Sequence, residues 1–239
     1  MHEAILKRTS RRCFLDAPIS PEQVGAIRAA IETLNRESGL TVEYLPDAAT
    51  AFASRRKTYG MFSGVRAVVV LKGPTDAPDL AERIGYYGER LVLDITDLGL
   101  GTCWVAGTFD RKQFAIAPTE TLLCVIPVGA VAARSAKEEL IHNVISRRRK
   151  PARSRMTGYD AAPEWARQAM EAVRLAPSAA NSQKPQFRYA GGVVTAAVPD
   201  QRPVDLVDLG IAKLHFALEA GGSFELGQNG RFIRSEVSD

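Results

Sequence analysis

The sequence predicts an α+β fold built from two similar halves, and three observations support this prediction. Apolar residues recur at helical spacing in four segments, which predicts helices at 21–38, 79–98, 163–175 and 204–222. Short runs of aliphatic and β-branched residues lie between these segments and are typical of strands. Similar segments follow one another in each half. We therefore expect central antiparallel or mixed sheets packed against long core helices.

The composition is that of a globular protein with a mild basic excess. The chain has 239 residues, of which 46% are hydrophobic and 24% are charged, and its net charge is +4. That excess favours anionic small ligands as much as nucleic acid. The opening residues lack the apolar core of a signal peptide and no run approaches the roughly 18 apolar residues of a membrane helix. We expect a cytoplasmic protein without a membrane partner.

Cysteine and histidine usage argues against a metal site. Cys13, Cys103 and Cys124 have neither metal-ligand spacing nor an even count, which suits a reducing compartment. The three histidines are far apart in the sequence. We expect no bound metal.

The first half opens with a short helix and continues with alternating helices and strands. Within residues 3–12 we expect a helical turn with Ala4, Ile5 and Leu6 directed inward, and Ser20 can cap the helix that follows. Strands are predicted at 40–46, 66–73 and 122–131, and a further helix at 48–57.

A glycine-containing segment, GLGTCWVAG, follows the helix predicted at 79–98. Trp104 occupies the position of the last glycine in the dinucleotide fingerprint G-x-G-x-x-G, so a Rossmann domain is not expected. Val105, Ala106 and Gly107 instead predict a loop that exposes backbone N–H groups.

Four polar residues near the start of the chain could bind a phosphate. Arg8, Thr9, Ser10 and Arg12 supply two guanidinium groups and two hydroxyls within five positions, a donor set that suits phosphate oxygens. Phe14 follows as an apolar anchor. The alternative is a solvated basic helix end.

The densest positive charge lies at residues 147–155, RRRKPARSR. Pro151 predicts an extended segment, in which Arg147 and Arg149 would point to the same side and could clamp a phosphate. The alternative is a nucleic-acid or localisation patch. No aromatic residue lies within the segment, which weakens the case for single-strand binding.

The stretch LAPSAANSQKP, residues 175–185, follows an amphipathic helix that Pro177 ends. Its small residues would let a flat ligand approach the backbone, and Ser178, Asn181 and Ser182 add donors and acceptors. A planar heteroaromatic cofactor needs such an environment. The alternative is a helix C-cap and an ordinary loop.

The remaining segments complete the second half and suggest an internal repeat. An antiparallel pair of strands is predicted at 186–198, and a hairpin turning at Gln228–Gly230. The spacing from Gly88 to Gly99 equals that from Gly210 to Gly221, so duplication is a hypothesis.

Together, KRTSRRCF, GLGTCWVAG, RRRKP and LAPSAANSQKP resemble motifs of the FMN-dependent nitroreductase family. In typical members the segment that LAPSAANSQKP resembles comes soon after the arginine motif that KRTSRRCF resembles. The order here resembles a subgroup in which one chain mimics the whole dimer. The resemblance implies a nitroreductase-like fold with a first half at 1–155 and a second half at 156–239, together one compact domain with one flavin site.

The resemblance also implies a cofactor and a site. FMN would be held at its phosphate by Arg8, Thr9, Ser10 and Arg12, with Arg147 and Arg149 adding charge. The remaining contacts would come from Pro177, Ser178, Ala179 and Asn181 at the isoalloxazine and ribityl groups, from backbone N–H groups of Val105, Ala106 and Gly107 near flavin N5, and from the Thr58–Met61 loop at the pyrimidine edge.

The implied activity is an FMN-dependent oxidoreductase. NADPH or NADH would reduce the flavin, and a nitroaromatic, quinone or similar small molecule would reoxidise it in a ping-pong scheme without a catalytic side chain. The alternatives are a flavin-binding protein without turnover and nucleic-acid binding through residues 147–155. A monomer that mimics a dimer and a homodimer both stay open.

Overall fold

The computed structural model describes residues 1–134, 139–140, 143–144 and 147–235, which form two compact units. The first unit consists of Lys7–Leu80 and Arg90–Ala133. The second unit consists of Met1–Leu6, Ala81–Glu89 and the described residues from Arg134 onward. These bounds differ from the proposed halves 1–155 and 156–239, and the internal duplication stays a prediction.

The helices begin and end close to the positions that the sequence predicts. They are α1 (Glu3–Lys7), α2 (Pro21–Ser38), α3 (Arg55–Thr58), α4 (Leu80–Asp97), α5 (Glu164–Leu175) and α6 (Pro203–Ala220). In α2, Ser20 and Gln23 form a reciprocal capping box, and Gly39 ends the helix in the left-handed conformation. These caps satisfy backbone groups that a helix end leaves without an intrahelical partner.

The first unit contains an antiparallel sheet. Its strands are β1 (Glu43–Leu45), β2 (Ala67–Pro74), β3 (Gly101–Thr102) and β4 (Glu120–Gly129), in the order β1-β2-β4-β3. Seven of the eight residues of β2 are buried, which explains why this strand reads as a continuous apolar run rather than an alternating one. Val68, Val70 and Val125 belong to a core that also contains Phe52 and Phe109.

The second unit contains a mixed sheet. Its strands are β5 (Met156–Thr157), β6 (Gln186–Ala190), β7 (Val193–Ala197), β8 (Gly222–Phe224) and β9 (Gly230–Arg234), in the order β5-β6-β7-β9-β8. Only β5 and β6 pair in parallel among them. Both predicted hairpins are confirmed, and Phe224 lies opposite Phe232 in the second. The α+β fold with antiparallel and mixed sheets is thus confirmed.

The core of the second unit packs α5 and α6 against this sheet. Phe187, Phe216, Phe224 and Phe232 form its aromatic centre, with ring centroids of Phe187 and Phe216 5.3 Å apart and those of Phe216 and Phe232 5.1 Å apart. Aromatic pairs at this separation add favourable contacts to the burial of apolar area.

Two glycines bring the backbones of α4 and α6 into contact within the second unit. A Cβ on Gly85 would lie 2.0 Å from the carbonyl oxygen of Val207, and a Cβ on Gly210 would lie 2.0 Å from that of Glu82. Because no side chain fits at these distances, only glycine permits this crossing.

A buried ion pair and a buried histidine–carboxylate contact link the same two helices. Lys213 lies within hydrogen-bond distance of Glu82 and also donates to the carbonyls of Glu225 and Gly227. His215 Nε2 lies 2.9 Å from Glu89 Oε1. A buried charge needs such partners to offset its desolvation.

Two local predictions differ from the structure. The helix predicted at 48–57 is a 3-10 helix at Ala49–Phe52 followed by the short α3. Ser54 interrupts it because its hydroxyl accepts from the N–H of Lys57 and so starts a new turn. Leu6, predicted to face inward, is 61% exposed, because the five-residue α1 buries only Ala4 and Ile5.

No helix of the described ranges is both long and apolar enough to span a bilayer. Within the same ranges, no group of three or more histidine, cysteine or acidic side chains could hold a metal ion.

Candidate functional site

Residues 8–13 of the first unit, called the arginine segment below, run beside β3. Ser10 forms a parallel β-bridge with Thr102, and the Arg11 N–H donates to the carbonyl of Thr102 at 2.7 Å. Further on, Cys13 forms a second bridge, with Ser63. These backbone hydrogen bonds fix the segment, so its side chains have defined directions.

Three alternate residues of this segment influence the same buried thiol. The Arg8 and Arg12 guanidinium groups and the Ser10 hydroxyl all act on the thiol of Cys103. Arg11 instead donates to the carbonyl of Ala132 at 2.8 Å. Residues 8, 10 and 12 have the alternation that places side chains of an extended chain on one side, so these three predicted phosphate ligands remain candidates for one site. Thr9 is half-buried between them.

The thiol of Cys103 has little negative charge at neutral pH. Cys103 is 3% exposed, and burial raises the pKa of its thiol although Arg12, Arg8 and a hydrogen bond with Ser10 act in the opposite direction. A protonated thiol does not neutralise the neighbouring guanidinium groups. The cluster therefore keeps a positive charge that suits an anion.

Phe14 is the apolar anchor that the sequence predicts. It is buried, its N–H donates to the carbonyl of Ser63, and its ring packs against Gly129. A Cβ on Gly64 would lie 2.1 Å from the carbonyl oxygen of Phe14. Phe14 thus fixes the end of the arginine segment by packing against Gly64 and Gly129.

The predicted 105–107 loop is only partly as expected. Val105 is buried and its N–H donates to the carbonyl of Val125 at 3.0 Å, so the prediction that Val105 offers this N–H to a ligand is wrong. The cause is an isolated β-bridge that adds Val105 to the sheet. Ala106 and Gly107 are exposed and stay candidates.

Gly107 shares an open cleft of about 610 Å³ with the predicted 58–61 loop. Arg56, Lys57 and Tyr59 line its other side. Tyr59 is 77% exposed and has a φ of 51°, a left-handed conformation that is uncommon for an aromatic residue. Within the first unit, the fold therefore brings these two predicted segments together.

In the second unit, the stretch after α5 forms a tight loop at 178–183, called the 178–183 loop below. Ala180, Asn181 and Gln183 have φ values of 49°, 54° and 51°. Left-handed backbone at three non-glycine residues within four positions is strained, and such strain persists only where surrounding contacts hold it. It often marks a functional site.

Gln183 is the centre of the hydrogen bonds in this loop. It is 2% exposed; its N–H donates to Ser178 Oγ at 3.0 Å and its side-chain amide donates to Asn181 Oδ1 at 3.2 Å. The same amide joins the loop to the basic segment, since Nε2 donates to the carbonyl of Arg148 and Oε1 accepts from the N–H of Lys150. Ser178 and Asn181, both predicted ligands, are thus held by one buried residue, Ser178 through the backbone N–H of Gln183 and Asn181 through its side chain.

Two buried charged residues, Asp208 and Arg155, bind the backbone of the 178–183 loop and of the residues on either side of it. Asp208 on α6 accepts the N–H of Ala179 with both oxygens, at 3.0 and 3.1 Å. Arg155 is 1% exposed and donates to the carbonyls of Val173 and Pro185, which precede and follow the loop. Burial lowers the pKa of Arg155 to about 10, although Asp208 acts against this.

The basic segment at 147–155 is not the single extended strand that the sequence predicts. Arg147 is helical, and residues Ala152–Arg155 form a 3-10 helix preceded by Pro151. Pro151 fits there because its fixed φ suits the start of a helical turn, and the buried Arg155 side chain fixes that turn. The argument that Arg147 and Arg149 point the same way is therefore wrong, although both lie near the loop that Gln183 holds.

Sequence reasoning missed Gln183, Asp208 and Arg155 as site residues. A signal existed for Asp208, because an acidic residue in the mostly apolar segment VDLVDLGIAKLHF is expected to have a buried partner. Arg155 is one of several arginines in the basic segment 147–155, and no feature of the sequence distinguishes a buried arginine from the exposed ones there.

This architecture is similar to that of solved nitroreductases. A putative nitroreductase from Thermotoga maritima matches with a TM-score of 0.65 and 23% identity, over 96% of this chain and 90% of that one. An FMN-dependent nitroreductase from Clostridium difficile (TM-score 0.47, 15% identity) covers 55% of this chain and 88% of its own. A putative NADH dehydrogenase/NAD(P)H nitroreductase from Parabacteroides distasonis (TM-score 0.47, 22% identity) covers 56% and 88%. The first of these shows that the fold is that of nitroreductases.

The family follows from the sequence itself. A family model described as "Putative TM nitroreductase" matches residues 1–220. Because the match covers most of the chain, this protein belongs to that nitroreductase family, as its motifs predict. A comparison with curated proteins gave no match.

Proposed function

We propose that this protein binds FMN and transfers reducing equivalents from NADPH or NADH to small acceptors such as nitroaromatics or quinones. The observation that carries the proposal is membership of the nitroreductase family. It is supported by the backbone pairing of the arginine segment with Thr102 and by the influence of Arg8, Ser10 and Arg12 on the pKa of the Cys103 thiol.

The donor set suits the phosphate of FMN. Arg8 and Arg12 supply planar guanidinium groups, and Ser10 supplies a hydroxyl, on a segment fixed by backbone hydrogen bonds to Thr102. Charge-assisted bonds from guanidinium to phosphate are strong and directional. In this proposal these three residues bind the phosphate, and the backbone of Thr9 adds a donor.

Other residues would contact the rest of the cofactor. Ala106 and Gly107 would donate backbone N–H groups to the ring, and the 58–61 loop would meet its pyrimidine edge. Pro177, Ser178, Ala179 and Asn181 would contact the isoalloxazine and ribityl groups, with Ser178 and Asn181 oriented by Gln183. Arg147 and Arg149 would contribute positive charge.

Bound FMN would supply the two-electron redox chemistry, and the protein would supply binding, orientation and electrostatics. The pKa of Cys103 is raised by burial, so this thiol stays protonated beside the bound phosphate at neutral pH. The thiol therefore adds no negative charge beside the guanidinium groups of Arg8 and Arg12.

The first experiment is the absorbance spectrum of the purified protein, before and after reconstitution with FMN, followed by an assay of NADPH and NADH oxidation with a nitroaromatic or quinone acceptor. We expect flavin absorbance and acceptor-dependent oxidation. Flavin that dithionite reduces but neither nicotinamide reduces would indicate a binding protein without turnover. No flavin binding after reconstitution would refute the proposal.

The second experiment tests the phosphate assignment. Arg12→Ala should weaken FMN binding by about tenfold or more, the effect of losing one charge-assisted contact, and should change riboflavin binding little because riboflavin has no phosphate. Arg11→Ala is the matched control, since Arg11 donates to Ala132 instead. Equal losses for FMN and riboflavin in Arg12→Ala would contradict the assignment.

A further inference from the structure

The 178–183 loop has a conformation that its own sequence does not favour. Ala180 in the left-handed region lacks the short polar side chain that makes this region tolerable for asparagine, and no glycine lies in the loop. Some external contact must therefore compensate for the strain.

Asp208 supplies that contact from outside the loop. Its carboxylate belongs to α6, 29 residues further along the chain, is 3% exposed, and accepts the N–H of Ala179, the residue that precedes the strained pair. Its Oδ2 also lies 3.5 Å from the Ser182 hydroxyl at the other end of the turn. A single carboxylate thus spans the turn at both ends.

We propose that Asp208 is a positioning residue for the flavin: its ionised carboxylate holds the 178–183 loop in the conformation that contacts the cofactor. This inference rests on the proposed function, because it concerns the loop assigned to FMN. Asp208 does not touch the reacting atoms and acts through Ala179 and Ser182.

The surroundings of Asp208 make its charge sensitive to pH. Burial raises the pKa of its carboxyl to about 7, the hydrogen bonds of Ala179 and Ser182 and the charge of Arg155 oppose this rise, and Asp205 adds to it. A protonated carboxyl is a weaker acceptor than a carboxylate. The hold on the loop should therefore weaken as pH falls through neutrality.

The other charged groups near this part of α6 are already engaged. Asp205 is paired with Lys184 and Arg202. On α4, which packs against α6, Glu82 faces Lys213 and Glu89 faces His215. Asp208 is distinct among these carboxylates in accepting from the backbone of the loop.

The test measures the affinity for riboflavin, and for FMN in parallel, as a function of pH. Riboflavin is used because it lacks the FMN phosphate, which itself titrates near neutrality. Wild-type protein should bind riboflavin more tightly at pH 8 than at pH 6, with a step near pH 7. Asp208→Leu should weaken binding at pH 8 by about tenfold, because Ala179 loses its charge-assisted acceptor. Asp208→Asn keeps a neutral acceptor and should stay within about threefold of wild type while losing the step.

Asp205→Asn is the matched control, since it removes a buried carboxylate one turn away that does not bond to the loop backbone. Its pH step should persist but move to lower pH, because the charge of Asp205 raises the pKa of Asp208. Should Asp208→Leu fail to fold, the step in Asp208→Asn decides the question. A step that survives in Asp208→Asn, or affinity unchanged in Asp208→Leu, would overturn the inference.

A readout without flavin separates this inference from the proposed function. In the flavin-free protein, exchange of the Ala179 amide, corrected for the intrinsic effect of pH, should be more protected at pH 8 than at pH 6 in wild type and equal at both in Asp208→Asn. If wild type binds neither flavin, the proposed function fails, and with it the flavin role of Asp208, even where the amide shows that Asp208 holds the loop. If flavin binds and the amide is indifferent to Asp208, only the positioning inference fails.

Discussion

Asp205 and Asp208 lie one turn apart on α6, both are buried, and their carboxyl groups are held in opposite ways. Burial acts on both, but hydrogen bonds from Arg202 and Lys184 keep the pKa of Asp205 below its usual value. For Asp208, burial raises the pKa to about 7, and the hydrogen bond from the Ala179 N–H and the charge of Arg155 only partly oppose this rise. One carboxylate therefore stabilises the fold at neutral pH and the other opposes it.

Asp208→Asn should make the protein more stable at alkaline pH. The pKa of Asp208 rises from 3.8 to about 7 on folding, so its favourable contribution is complete below pH 3.8 and is lost as pH rises through 7. Urea unfolding at pH 5 and pH 8 should show the variant gaining about 3 kcal/mol on wild type between these values. A difference in unfolding free energy between variant and wild type that does not change with pH would contradict this prediction.

Asp205→Asn should have the opposite sign. Because the pKa of Asp205 is lowered on folding, its contribution is present above the unfolded-state pKa and lost as pH falls through the folded-state pKa. The variant should be less stable than wild type at pH 7, because Asp205 loses its ion pairs with Lys184 and Arg202; the loss should be modest because both cations remain accessible to solvent. Urea unfolding at pH 7 measures this loss, and it should shrink on acidification.

Among the elements, the crossing of α4 and α6 organises the second unit. Gly85 and Gly210 let the two backbones touch, and the Glu82–Lys213 pair ties both helices to the turn before β9, since Gly227 donates to Glu82. The offset that relates Gly99 to Gly221 also relates Gly85 to Val207, which are in contact. Duplication stays a hypothesis that this shared offset is consistent with.

Gly85→Ala should destabilise the protein strongly. The new methyl would lie 2.0 Å from a backbone carbonyl, which cannot move without separating the helices, so we expect a loss of about 3 kcal/mol. Gly25→Ala in α2 is the control, because no atom lies within 4 Å of its Cβ; there alanine should stabilise the helix by about 1 kcal/mol. Thermal unfolding of both variants measures the difference.

Lys213→Met should also destabilise the second unit. It leaves Glu82 buried without its cation, which typically costs about 3–5 kcal/mol. The double variant Glu82→Gln with Lys213→Met should recover part of that loss, because no buried charge is left. A double variant less stable than the single one would show that the hydrogen bonds of the pair matter more than its charge.

At the scale of the whole molecule, the predicted ligands of FMN come from two separate stretches of chain. Arg8, Ser10 and Arg12 belong to the first unit, and Ser178, Ala179 and Asn181 belong to the second. Each stretch has its own predicted FMN contacts, and each assignment can be tested separately without a crystal.

Amide hydrogen exchange with and without FMN should therefore change in both stretches. At an FMN concentration of 100 times its Kd, binding adds about 2.7 kcal/mol to the stability of the bound form. We expect slower exchange at residues 8–12 and at 178–183 in the presence of FMN, beyond the slowing that α2 shows from the global gain in stability. Protection confined to one stretch would contradict the assignment of the other.

Much of the fold could be predicted because its signals are local. Helical spacing, Ser20 with Gln23 and Gly39 fix α2, and apolar runs identify β2 and β4. The spacing of Arg8, Ser10 and Arg12 already implied a shared direction, provided that the chain there is extended. The segment at 147–155 was misjudged because Pro151 favours both an extended residue before it and a helical turn after it.

By itself, the sequence determined the α+β class, most of the helix and strand bounds and the nitroreductase family, since periodicity, caps and motif spacing are properties of short stretches of chain. Only the tertiary structure decided that Val105 gives its N–H to the sheet, that Gln183 joins the loop to the basic segment, and that Asp208 holds the loop. The partners in these contacts are 20 or more residues apart, and hydrogen bonds at that separation are chosen by packing, which no local pattern records.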